Sequence, residues 1–167
     1  MEFVVDPTQF QSVHVPSFED ARADFAPYYR SRATVDQAIA QVATELSKLG
    51  AYMVGITEGR FREEEVSRVG YELRFSHAGM MGMLRVAGLP IAGGETPAKV
   101  MSVRVQALLN VRDWLKAAIT AQVFSPGTNP LLAHLLLPDG KTTVAEYIAK
   151  QGTLPQLAPP EIEIEVE

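Results

Sequence analysis

The chain has 167 residues and a formal charge of −5 at pH 7, from 15 basic and 20 acidic side chains. Hydrophobic residues make up 47% and charged residues 21%, an ordinary globular balance that excludes a collagen-like polymer, wholesale disorder and a supercharged nucleic-acid tail. The absence of cysteine excludes disulfides, iron–sulfur clusters, thiolate zinc sites and thiol catalysis together.

The first residues, Met-Glu-Phe-Val-Val-Asp, have neither the basic n-region nor the apolar h-region of a signal peptide. No apolar run approaches the roughly 20 residues of a membrane span. The expectation is a soluble, cytoplasmic protein without a membrane partner.

Residues 1–33 carry six aromatics (Phe3, Phe10, Phe18, Phe25, Tyr28, Tyr29) and three prolines, with no sustained period. That is too aromatic for a plain disordered tail. It reads as an extended arm lying along a surface, its own or that of a second subunit.

Thr34 with Gln37 forms a capping box. Val35, Ile39, Val42, Leu46 and Leu49 then share one helical face, and Gly50 supplies the stop. Residues 51–57 read as a strand with Tyr52, Val54 and Ile56 on one side. Arg60 to Arg68, holding Glu63, Glu64 and Glu65, reads as a solvated charged loop. Residues 71–77 alternate, with Tyr71, Leu73, Phe75 and His77 facing one way. Ala78-Gly79 offers a turn into a strand over Met80–Ala87. A two-residue turn pairs Tyr71 with Val86, Leu73 with Leu84, Phe75 with Gly82 and, on the opposite face, Glu72 with Arg85. Arg74, Met81 and Met83 would then lie on an exposed or interfacial face.

Thr96-Pro97 starts a long helix ending near Phe124. Leu131–Leu137 reads as a short apolar helix or turn. Thr143 with Glu146 caps a helix over Val144–Gln151. The tail ends Glu161-Ile-Glu-Ile-Glu-Val-Glu, with apolar and acidic sides in strict alternation. The expected organisation is an aromatic arm (1–33), one α+β two-layer domain (34–152) and an acidic, proline-containing tail (153–167). A three-stranded antiparallel sheet in the order α-β-β-β-α forms the core, with a long helix and two short ones.

That element order resembles the double-stranded RNA-binding domain and, in outline, the core of Rad52-like strand-annealing proteins. The first family has a lysine cluster at the start of its last helix; here the helix opens Thr96-Pro97-Ala98-Lys99, with one lysine. The stretch Arg104-Val-Gln-Ala-Leu-Leu-Asn-Val-Arg-Asp-Trp-Leu-Lys, with Leu-Leu-Leu-Pro-Asp-Gly-Lys-Thr beyond it, is similar to small uncharacterised proteins of bacterial prophages and mobile elements. That resemblance implies a phage-accessory setting and names no activity.

His14, His77 and His134 have no metal-ligand spacing, so no metal is expected, and the Glu63–Glu65 run reads as solvated charge. No nucleophile elbow, P-loop or dinucleotide fingerprint occurs, so neither a cofactor nor catalysis is expected. Arg104 falls in the middle of the apolar face of the long helix, where a cation must be paired or reach water. Two functions follow. The first is a non-enzymatic interaction module, expected to be a homo-oligomer, with Phe10, Phe18, Phe25, Met81, Met83 and Arg104 at its interfaces and Met80 beside them. The alternative is a single-stranded nucleic-acid-binding or annealing accessory protein. In that reading Arg60, Arg62, Arg68 and Arg74 contact phosphate, and Tyr28 and Tyr29 stack on bases.

Overall fold

The computed structural model describes residues 15–21, 27–28, 30–63 and 65–151. Helix α1 runs over Val35–Lys48. Three strands follow, β1 over Ala51–Glu63, β2 over Val66–His77 and β3 over Met80–Ala87. Helix α2 spans Pro97–Phe124 and α3 spans Val144–Gln151. Single 3-10 turns stand at Phe18–Asp20 and Leu132–His134. The fold is α+β, with an antiparallel sheet in the order β1-β2-β3.

Local chemistry sets the element ends. The Thr34 hydroxyl accepts from the Gln37 amide at 3.2 Å, and the Gln37 side chain accepts from the Thr34 amide at 3.0 Å. Gly50 closes α1 with a φ of 74°, which a side chain would resist. Thr96 caps α2 through the Lys99 amide, with Pro97 in the first turn. Thr143 and Glu146 cap α3 reciprocally.

The β2–β3 register is the one the alternation demands: Tyr71 opposite Val86, Leu73 opposite Leu84, Phe75 opposite Gly82, Glu72 opposite Arg85. The two-residue turn puts Ala78 at φ 50° and Gly79 at φ 77°, the pair of left-handed residues that matches strand twist. Gly82 makes room for its neighbour, since a Cβ there would lie 2.1 Å from the Phe75 ring. Tyr71, Leu73, Phe75 and Leu84 join Val42, Leu46, Leu108 and Leu115 in one core between the sheet and the two longer helices.

Two expectations for the first half of the sheet are corrected. Arg60–Arg68 is not a loop. Strand β1 continues to Glu63 and pairs along its length with β2, ending at Glu63 opposite Val66. Arg60 and Arg62 are exposed on a hairpin whose backbone is paired. Secondly, Tyr52, Val54 and Ile56 do not share a face. A bulge between Met53 and Gly55 shifts the register. Ala51, Met53 and Ile56 pack on the core, while Tyr52 and Val54 are 69% and 61% exposed.

Met83 is also corrected. It lies on the sheet face away from α1 and α2, yet is only 1% exposed. Beyond α2 the chain returns along the free edge of β3, with Leu135 bridging to Gly82 and the Leu136 amide donating to the Met81 carbonyl. It then brings α3 to that face, where Arg85 bonds Glu146 and the Lys141 carbonyl. Among the described residues no helix is long and apolar enough to cross a membrane.

Candidate interaction surface

At the open end of the sheet, Tyr52, Ser76 and Met81 are successive cross-strand neighbours. Their side chains therefore share the face that α1 and α2 leave uncovered. The bulge adds Val54 beside Tyr52. Met81 is 41% exposed and Met80, at the turn, 47%. Isolated apolar exposure is normal, but Tyr52, Val54 and Met81 gathered at one end of that face form a patch, while Met80, paired with His77, belongs to the other face. Sequence reasoning missed Tyr52 and Val54 because alternation through a bulge reads as a clean strand.

The arginines of the hairpin do not converge. Arg60 and Arg62 lie opposite Val69 and Ser67 on the helix side. Arg68 and Arg74 lie opposite Phe61 and Gly55 on the other side. Three of the four also have partners within the chain. Arg60 forms a two-pronged pair with Glu95, at 2.7 Å for one prong, which holds the Glu95 carboxyl below its usual range. The Arg68 Nε donates to the Gly88 carbonyl at 2.7 Å. Arg74 lies 3.5 Å from Glu72, which also faces Arg85.

The described part of the arm is anchored to its own domain. The Phe18 amide donates to the Pro90 carbonyl at 2.8 Å, and Ala21 is buried. Glu19 accepts from the Ala92 and Gly93 amides and from Lys99. Led by the Ala92 amide, those donors bring its carboxyl down to about 2. Tyr28, at φ 70°, donates its hydroxyl to Asp113 at 2.6 Å and accepts from Arg112 at 2.8 Å. The Arg112 guanidinium lies 5.1 Å from the Tyr28 ring centre. Burial alone would raise the Asp113 carboxyl, but the bonds from Tyr28 and Arg112 outweigh it and lower it. One face of the Tyr28 ring, of the kind a stacking base would use, is thus taken by Arg112. Phe10, Phe25 and Tyr29 lie outside the described residues, as do His14 and the tail.

Arg104 pairs with Glu58 at 3.2 Å and lies 6.0 Å from the Tyr71 ring centre. Its Nε is buried without a hydrogen-bond partner among the described residues. Glu58 also accepts from the Tyr71 hydroxyl at 3.2 Å, and burial, aided by that carboxylate, pushes the phenol up to about 12. These groups border an open cleft of about 530 Å³ between β1 and the start of α2, with Val35, Pro97 and Met101 as its apolar walls. Its two carboxylates, Glu58 and Glu95, each bind an arginine. Arg60 holds the Glu95 carboxyl below its usual range, which makes Glu95 a poor general acid.

The two described histidines make contacts within the fold. His77 contacts the Gly50 carbonyl and the Asn129 amide through its two ring nitrogens. His134 meets the Trp114 ring edge-on, centroids 5.4 Å apart. Among the described residues no cluster of three His, Asp or Glu side chains could hold a metal ion. Comparison with protein-family models, curated proteins and solved structures finds no match.

Proposed function

We propose that the protein is a non-enzymatic interaction module that associates with copies of itself through its sheet. The observation that carries this reading is the exposed apolar group on one face at one end of the sheet, with Tyr52 at 69%, Val54 at 61% and Met81 at 41% exposure. Contact between two copies would remove these side chains from water, at about 25 cal/mol for each Å² buried. The division of Arg60 and Arg62 from Arg68 and Arg74, and their internal partners, weigh against a phosphate-binding stripe, as does the net charge of −5.

Light scattering and sedimentation of the full chain across the micromolar range test the reading. An oligomer is expected, and Tyr52→Lys combined with Met81→Lys should shift it toward monomer. A wild-type monomer throughout that range overturns the proposal. Fluorescence anisotropy with a single-stranded oligonucleotide at low salt is expected to show no binding. Salt-sensitive binding lost on Arg68→Gln and Arg74→Gln would instead favour the nucleic-acid reading.

A further inference from the structure

The two edges of the sheet are treated differently by the chain. The β3 edge is covered near its start by Leu135 and Leu136. Strand β1 is the other edge of the sheet, and Thr57, Glu58, Gly59 and Arg60 are all exposed along it. A long edge strand with free backbone groups is a template for another strand. Folded proteins usually cover or twist such an edge.

Gly59 is the second observation. Its strand partner Gly70 has an internal reason to be glycine: a Cβ there would lie 2.1 Å from the Val86 carbonyl and 2.7 Å from the Phe61 ring. Gly59 has none. A Cβ at position 59 would meet nothing within 4 Å, and its backbone is outside the left-handed region. Glycine weakens a strand, and in mid-strand it marks a bulge, a bend or the close approach of another backbone. The bulge of β1 lies elsewhere, at Met53/Gly55.

We propose that β1 pairs antiparallel with β1 of a second copy about a two-fold axis at Gly59, joining two sheets into one of six strands. Charge fixes the register. Centred on Gly59, the pairing sets Glu58 of each copy opposite Arg60 of the other, on the helix side of both sheets. Moving the axis to Glu58 or Arg60 places that residue opposite its own copy, like charge against like. Moving it to Phe61 sets Arg60 against Arg62. On the other face the Gly59 register sets Thr57 opposite Phe61 on both sides of the axis, a β-branched and aromatic pairing that sheets favour. The Glu58 and Arg60 side chains are 54% and 44% exposed, so each can reach across while keeping Arg104 and Glu95 as internal partners. The result is an alternating row of charges across the joint. This geometry rests on the self-association reading and adds to the contact through the apolar patch a second one, at the β1 edge.

The chain contains no cysteine, so thiols can be placed one at a time in the full-length protein. Directly opposed residues of an antiparallel pair have Cα atoms about 4.5–5.5 Å apart, within disulfide reach. Gly59→Cys should form an inter-chain disulfide under mild oxidation. Thr57→Cys, exposed on the same face two residues away, should form it at least roughly tenfold more slowly, because the two thiols are then offset along the strands. Thr57→Cys combined with Phe61→Cys should restore rapid crosslinking, which keeps the test open if Gly59→Cys fails to fold. If the wild type is oligomeric but the single variants crosslink equally, or neither Gly59→Cys nor the double variant does, this edge pairing is overturned while self-association stands. A monomeric wild type overturns both.

Discussion

The glycines of the sheet show how much one hydrogen atom decides. Gly70 and Gly82 hold positions where a methyl group would enter the Val86 carbonyl and the Phe75 ring. The obstruction at Gly70 includes backbone, so Gly70→Ala should cost about 1–3 kcal/mol or more, the usual range for overpacking. Gly59→Ala, in open space within one chain, should leave the midpoint of urea unfolding unchanged or raise it slightly at concentrations low enough to keep the chain monomeric. Equal losses at both positions would contradict this difference in packing. Arg104 makes a different argument. Its ion pair is partly buried, one nitrogen has no partner, and Glu58 stays accessible to water if the cation is removed. Replacement of a desolvated pair member by an apolar side chain is costly only when it strands a buried charge. Arg104→Met should therefore change stability by less than about 1 kcal/mol in urea unfolding, whereas a loss of several kcal/mol would reveal a network that the single contact to Glu58 does not describe.

The elements are legible where local signals agree. The capping boxes at Thr34 and Thr143, the Pro97 start of α2 and the β2–β3 register all follow from side-chain spacing, because each depends on residues within a few positions or on one tight turn. The hairpin of β1 and β2 is not legible. Arg60, Arg62, Glu63 and Arg68 look like loop residues until cross-strand pairing supplies partners for their backbone, and the bulge at Val54 reverses the faces that alternation assigns. The candidate surface is hidden for the same reason: Met81 can be read from the hairpin register, but alternation groups Tyr52 and Val54 with Ile56, which packs on the core. The burial of Met83 escapes the sequence because nothing local indicates that α3 folds back over its face. The short segment of Leu132–His134 allows a pH test at this scale. Burial lowers the pKa of His134 below its ordinary 6.5, so the folded state resists a proton that the unfolded chain accepts. Its contribution is complete above about pH 6.5 and declines as pH falls below it. Between roughly pH 7 and pH 5, the thermal midpoint of the wild type should fall further than that of His134→Phe. Parallel curves would mean that the imidazole titrates alike in both states.

At the scale of the whole molecule, the question is what ties the arm to the domain. Arg112 is the central group. Its three nitrogens reach Tyr28 of the arm, Gln41 of α1 and Asp113 of its own helix, and its side chain is only 14% exposed. The Pro27 carbonyl beside Tyr28 accepts from Gln106 of the same helix. The left-handed φ of Tyr28 costs free energy for a side chain of that size, so these contacts must outweigh it. Tyr28→Phe would keep the stack over the guanidinium and lose only the hydroxyl, at about 1.5–2 kcal/mol for a group bonded to charged partners. Arg112→Met would remove the stack and three hydrogen bonds at once, and leave Asp113 with one partner fewer. Its cost should be larger, about 2–4 kcal/mol. Since both act on one contact, the double variant should fall short of the sum by at least roughly 0.5 kcal/mol in a double-mutant cycle. Urea unfolding of the four proteins measures all three quantities. Strict additivity would mean that Tyr28 and Arg112 stabilise the fold independently, and the arm would then rest on its other anchors, among them Glu19 with its bonds to Ala92, Gly93 and Lys99.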